Sequence, residues 1–149
     1  MTQQNRHGFT LLELVIIVII IGVISAITLP LLSNALQQQR VRNAAAAVEN
    51  MYVKARAIAM QRSSKTRIMG LQSGSLTILS LNPVTGAWES VGQAEDVASR
   101  FNVSITSTPY DYIGINHRGL GYYAEDTVTV WSGADTIELK ISRYGRITR

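Results

Sequence analysis

The sequence contains no cysteine, which excludes disulfide bonds and thiolate-bound metal sites. Without cysteines there is no evidence of the redox compartment, so the location of the chain must be inferred from its N-terminus. Charged residues are few, at 16%, against 46% hydrophobic residues. The 149 residues contain no internal repeat and no low-complexity linker, so they provide one soluble head with a modest core outside the apolar N-terminus.

The apolar residues are concentrated in one N-terminal segment. Residues 9–32 are almost uninterruptedly apolar, and their clearly polar side chains are Thr10, Glu13, Ser25 and Thr28. A helix needs roughly 20 apolar residues to cross the hydrocarbon core of a bilayer, and this segment is long enough. Arg6 precedes it, which predicts that the N-terminus stays in the cytoplasm. The net charge of +4 fits basic residues that flank a membrane, and it also fits a polyanion-binding protein.

Two residues near the start of this segment are unusual. Gly8 is a small residue on the cytoplasmic side of the apolar run, where cleavage would leave the membrane anchor attached. Glu13 is an ionisable residue inside the apolar segment, and such residues normally have a partner. Cleavage after Gly8 would give Phe9 a free amino group one helical turn from Glu13. A second interpretation places Glu13 at the membrane interface, favoured by the positive end of the helix dipole.

The run GFTLLEL at residues 8–14, followed by an Ile/Val-rich stretch, resembles the prepilin signature of type IV pilin-like proteins. The resemblance implies that prepilin peptidase cleaves between Gly8 and Phe9 and that Phe9 is N-methylated. It also implies that Glu13 sets the register with the adjacent subunit of a filament. Pro30 matches the proline that kinks the long pilin helix. Residues 1–8 would form the leader peptide, and residues 9–32 the transmembrane and filament-core helix.

Beyond Pro30 the pattern predicts that the helix continues to about Arg62, with residues 33–62 amphipathic. Apolar residues recur there at spacings of three and four, namely Ala44, Ala45, Val48, Met51, Tyr52, Ala55, Ile58 and Ala59. Residues 63–149 contain short β-rich runs, which predict strands at residues 67–72, 76–81, 87–91, 101–106, 127–131, 137–142 and 146–148. The predicted fold class is α+β: one long N-terminal helix packed against a head with one antiparallel β-sheet.

The head also resembles the GspH/FimT family of minor pilins and pseudopilins, through KARAIA at residues 54–59, GINHRG at 114–119 and ISRYGRI at 141–147. This resemblance implies a structural subunit of a type II secretion pseudopilus or a type IV pilus, and it leaves both machines open. The implied partners are other pilins or pseudopilins, prepilin peptidase, an inner-membrane assembly platform, membrane lipid, and DNA or secreted cargo. The implied location is the bacterial inner membrane, with the head outside the cytoplasm, and then the filament.

The C-terminal segment carries a basic cluster formed by Lys140, Arg143, Arg146 and Arg149. Tyr144 lies among them and could stack on a base, which would suit a DNA-binding minor pilin of a transformation pilus. Strand alternation places Arg149 on the face opposite Arg146, so the match to the Gly-Arg-x-Arg segment of DNA-uptake members is imperfect. The alternative is that these charges solvate an outer strand and protect its edge from pairing.

Other polar residues of the head give no catalytic pattern. His117, Glu125 and Asp126 have no known metal-ligand spacing and are expected at the surface. Ser132 lies near acidic residues but lacks a nucleophile elbow, and the glycine-rich region at 114–121 lacks a phosphate-binding lysine. We therefore predict no enzyme, no cofactor and no metal site.

Overall fold

A computed structural model describes residues 10–149 of the chain, apart from the side chains of residues 29 and 30. Its first element is helix α1, Leu11–Gln61, which agrees with the helix predicted to end near Arg62. The predicted start at Phe9 lies outside the described residues. The chain forms two compact units, one up to residue 36 and one from residue 37 to the C-terminus. We describe each unit by itself.

The first unit is the apolar half of α1. Between Leu11 and Leu36, sixteen large apolar side chains are 42–81% exposed. An 18-residue window of this helix has a mean hydropathy of 3.0 and contains no buried residue. Within residues 10–149, α1 is the one helix that is long and apolar enough to cross a membrane. Its apolar surface therefore needs a cover of lipid or of other helices.

The second unit begins with the remainder of α1, which carries the predicted apolar stripe. Its buried residues recur at spacings of three and four along one face: Val41, Ala44, Ala45, Val48, Met51, Tyr52, Ala55 and Ala59. Ile58, which was predicted with them, is half-buried. Four of the eight are alanines with no exposed surface, so the helix backbone lies close to the core residues that pack against it. In this part of α1 the buried residues therefore lie on one face of the helix.

Nine strands follow α1 in the described chain. They are β1 Thr66–Met69, β2 Ser75–Leu81, β3 Trp88–Ser90, β4 Glu95–Asp96, β5 Ser104–Thr108, β6 Tyr112–Ile115, β7 Glu125–Ser132, β8 Asp135–Ser142 and β9 Ile147–Thr148. All pairings are antiparallel, and the strands form two sheets rather than the single sheet predicted. The first has the order β3-β2-β1-β6 with β4 on β2, and the second has the order β5-β7-β8-β9. The inner faces of both sheets share one hydrophobic core with the stripe of α1.

A short helix that the sequence did not predict, α2, Val97–Phe101, connects β4 of the first sheet to β5 of the second. The side chain of Asp96 caps it by accepting a hydrogen bond from the Ser99 N–H at 3.0 Å. Asn102 ends it in the left-handed conformation, and the chain then enters β5, which pairs with β7. Phe101, predicted as the first residue of a strand, is therefore the last residue of a helix.

Candidate functional site

The first described turn of α1 holds Glu13 in a reciprocal capping arrangement. The Thr10 hydroxyl accepts a hydrogen bond from the Glu13 N–H at 3.2 Å, and Glu13 Oε2 accepts one from the Thr10 N–H at 3.5 Å. This is the geometry of a capping box, with threonine at the cap and glutamate three residues on. The carboxylate is exposed and its contact with Thr10 is long, so it retains acceptor capacity for a charged donor. Gly8 and Phe9 lie outside the described residues, so the cleavage between them and the pairing of the Phe9 amino group with Glu13 stay predictions.

The helix backbone continues through the position of Pro30, because α1 is assigned without interruption from Leu11 to Gln61. Two residues before the proline, the Thr28 hydroxyl donates a hydrogen bond to the Ile24 carbonyl at 2.8 Å. Such back-bonding often accompanies a bend, and proline itself removes one backbone donor. The kink at Pro30 stays a prediction.

The C-terminal basic residues divide into an exposed group and one that is paired. Lys140 lies in β8 opposite Thr127 and Thr148, while Arg143 and Arg146 flank the turn between β8 and β9. All three are exposed, and no salt bridge involves them within residues 10–149. Tyr144, at the tip of this turn, is 77% exposed.

Arg149 differs from the other basic residues because it forms an ion pair with Glu49 of α1. Its Nε and Nη2 atoms donate hydrogen bonds to the two carboxylate oxygens of Glu49, at 2.8 and 2.9 Å. The hydrogen bonds to Glu49 raise the pKa of Arg149. Arg149 follows the last residue of β9, and its charge is compensated by Glu49 of α1.

A buried polar cluster, which the sequence did not predict, lies beneath this C-terminal turn. Tyr52 and Asp126 are 1% and 3% exposed, and Arg56 is half-buried beside Tyr52. Gly145, with φ of +81°, covers the cluster closely: a Cβ there would lie 2.5 Å from Arg56 Nη1 and 3.3 Å from the Tyr52 hydroxyl. The Tyr52 hydroxyl, Arg56 Nε and Asp126 Oδ1 have no hydrogen-bond partner in the described protein.

The prediction that Asp126 lies at the surface is wrong, whereas His117 and Glu125 are exposed as expected. In β7, side chains alternate between the outer and inner faces, so Asp126 shares the inner face with Val128 and Val130. That alternation was the signal in the sequence that could have identified its burial. Desolvation raises the pKa of Asp126 to about 6, and burial also raises the pKa of Tyr52, against the opposing effect of Arg56.

Asp126→Asn is expected to stabilise the head at pH 7 by up to about 3 kcal/mol, because it removes a buried carboxylate whose ionisation is unfavourable in the fold. The ordinary pKa is 3.8 and the folded value about 6. Between these values the folded state binds more protons than the unfolded state, so stability falls as pH rises from about 4 to 6.

Denaturation of the full-length protein in detergent at pH 4, 5, 6 and 7 measures this dependence. The loss of stability should be present in the original chain and absent in Asp126→Asn. Glu125→Gln removes the same charge from an exposed neighbour and serves as the control. Parallel pH curves for Asp126→Asn and the original chain would contradict the prediction.

Comparison with known proteins adds an N-terminal motif and a fold. Residues 3–29 match the family described as the prokaryotic N-terminal methylation motif. The structure of the type IV minor pilin FimU of Pseudomonas aeruginosa (strain PAO1) is similar with a TM-score of 0.60 and 18% identity, over 75% of this chain and 89% of that one. A second crystal form of FimU gives 0.57 and 19%, over 72% and 90%. No curated protein sequence matches the chain significantly.

The minor pseudopilin EpsH of the type 2 secretion system of Vibrio cholerae is also similar in structure. Its TM-score is 0.58 at 10% identity, over 73% of this chain and 94% of that one. At these identities the likenesses concern the fold. The α+β, pilin-like fold predicted from the sequence is therefore confirmed, with its long N-terminal helix and antiparallel sheets.

Proposed function

We propose that this protein is a minor pilin or pseudopilin that assembles into a filament through its N-terminal helix. Both its N-terminal motif and its fold are type IV pilin-like. The proposal rests on one observation: the match to the methylation motif at residues 3–29 coincides with the start of α1, whose apolar half is exposed. The similar structures include a pilus subunit and a secretion-system subunit, so the proposal covers both machines.

The exposed surface of α1 gives the physical reason for assembly. At about 1 kcal/mol for each half-exposed apolar side chain, leaving the sixteen between Leu11 and Leu36 in water would cost on the order of 15 kcal/mol. That is as large as the whole stability of an ordinary domain. The helix therefore belongs in the inner membrane before assembly and among the helices of other subunits after it. No catalytic step is needed for this role.

The remaining partners follow from the same proposal. Prepilin peptidase would cut between Gly8 and Phe9 and methylate Phe9, and an inner-membrane platform would move the mature subunit from lipid into the filament. Arg6, before the apolar segment, favours an orientation with the N-terminus in the cytoplasm and the head outside.

Photo-crosslinking in the native host tests this assembly. A photoreactive residue in place of Ile20, which is 52% exposed in the middle of the apolar helix, should form adducts with other pilin-like subunits. The same residue at Val84, 91% exposed in the turn between β2 and β3, serves as the control outside the helix. Adducts of Ile20 with lipid alone, in cells that assemble filaments, would refute the proposal.

A second function, DNA binding by the head, has one specific observation in its favour: Tyr144 is exposed between Arg143 and Arg146, which form no ion pair with the described residues 10–149. Arg146→Ala is expected to weaken binding of single-stranded DNA severalfold at low salt, and rising salt should abolish binding. Arg149→Ala is the matched control and should have the smaller effect, because Glu49 already compensates Arg149. Undetectable binding by the original chain at low salt would eliminate this function.

A further inference from the structure

A row of aromatic side chains crosses the outer face of the first sheet and contains one arginine. The Arg67 guanidinium carbon lies 4.0 Å from the ring centroid of Trp88 and 5.9 Å from that of Tyr112. The rings of Tyr112, Tyr110 and Tyr123 follow, with centroids 4.7–6.2 Å apart. We call these five residues the aromatic–arginine face. Cation–π contacts and ring stacking thus connect side chains from four separate segments of the head.

The aromatic–arginine face is held in place before any partner binds. The hydroxyl groups of Tyr112 and Tyr123 share a hydrogen bond of 2.6 Å, which raises the pKa of Tyr123. Tyr122 extends the cluster by lying directly over Gly114, where an added Cβ would come within 2.2 Å of its ring. Tyr110 is the most open member, at 46% exposure. Rings fixed in this way lose little conformational entropy on binding.

Arg67 carries a charge that the described protein does not compensate. The two ion pairs of residues 10–149 are Arg100–Glu95 and Arg149–Glu49, and neither involves it. Its Nε is buried and has no hydrogen-bond partner. The carboxylates next in sequence to Trp88 and Tyr112 have other partners: Glu89 accepts a hydrogen bond from the Asn82 amide, and Asp111 accepts one from the Gln72 N–H. The face therefore combines flat apolar surface with one unpaired cation.

We infer that the aromatic–arginine face docks a partner protein that presents an Asp or Glu carboxylate flanked by apolar side chains. Trp, Tyr and Arg are the residue types that dominate the energetics of protein interfaces, and the unpaired Arg67 supplies the charge complementarity. A nucleic acid fits less well. It needs several cations along a track, whereas this face has one, with Asp111 beside it. The inference rests on the proposed function, in which the partner is another subunit or a secreted protein.

The test uses the full-length chain in its host, with a photoreactive residue in place of Tyr110. A discrete protein adduct is expected, with an Asp or Glu at the crosslinked segment of the partner. Arg67→Glu should reduce the yield at least about tenfold, since a repulsive charge at an interface costs several kcal/mol. Exchanging the partner carboxylate for lysine should then restore it. Arg118→Glu makes the same charge change at an exposed position and should leave the yield unchanged.

Arg67→Gln removes the charge without adding a repulsive one and should also lower the yield. Because this change is milder than Arg67→Glu, a lower yield in both variants is not explained by misfolding of Arg67→Glu alone. The Ile20 adduct, measured in the same cells, separates the two proposals. If it forms while Tyr110 gives no adduct, a nuclease-sensitive adduct, or an adduct indifferent to both Arg67 variants, the docking inference is overturned and the filament proposal stands. If neither position gives a protein adduct, both are overturned.

Discussion

Gly8→Ala is expected to leave the chain as an uncut precursor, with the cleaved fraction reduced at least about tenfold. The added methyl group restricts the backbone conformations of the residue before the cleaved bond. It also keeps the peptidase from approaching the backbone as closely as it can approach a glycine. The measurement is the mass of the chain recovered from membranes, because cleavage between Gly8 and Phe9 removes the first eight residues.

Gly22→Ala is the matched control for this experiment. It makes the same substitution inside α1, at a position where an added Cβ has no heavy atom within 4 Å. We expect normal processing of this variant, because alanine also favours the helix. Normal maturation of Gly8→Ala, alongside that of the control, would remove the basis for the leader peptide at residues 1–8.

The long helix was predictable from the sequence because two independent signals, one in each half, both indicate a helix. The apolar run at residues 9–32 has the length of a helix that crosses a membrane. The apolar residues from Ala44 to Ala59 recur at spacings of three and four, which also indicates a helix. The strands β7 and β8 were equally accessible, since alternation and a glycine-containing turn mark both. In each case the local pattern and the final packing impose the same structure.

The two-sheet arrangement was not predictable, because it depends on contacts between distant segments. Strand β6 contains Gly114, a residue that normally argues against a strand, and it is a strand here because β1 pairs with it. The chain reaches β5 through α2, whose five residues are too few to show helical periodicity. One sheet is the simpler expectation from a list of strands.

The candidate sites divide in the same way. The cleavage motif is contiguous in sequence, so it can be recognised without a structure. The pairing of Arg149 with Glu49 joins residues 100 positions apart, and the aromatic–arginine face draws on four segments. Nothing in the spacing of Arg67, Trp88 and Tyr123 predicts that they meet. The N-terminal motif on which the proposed function rests is thus local in sequence, while these contacts within the head are not.

Glu13→Gln is expected to reduce incorporation of the subunit into filaments at least about tenfold and to leave cleavage after Gly8 unchanged. Glutamine at this position can keep the capping box with Thr10, so the substitution removes the charge and preserves the helix terminus. The amino group of Phe9, created by cleavage, would then enter the filament core without its counter-ion. An unpaired buried charge costs about 3–5 kcal/mol, well above the 1.4 kcal/mol of a tenfold effect.

Thr10→Ala separates capping from charge pairing. It removes the hydroxyl that accepts from the Glu13 N–H and costs about 1 kcal/mol of helix stability, but it keeps the carboxylate. The Ile20 photo-adducts formed per mature chain measure incorporation for both variants. A loss in Glu13→Gln that exceeds the loss in Thr10→Ala assigns Glu13 its role in charge pairing. Equal losses would mean that Glu13 acts through the helix terminus, and full incorporation of Glu13→Gln would mean that its charge is dispensable for assembly.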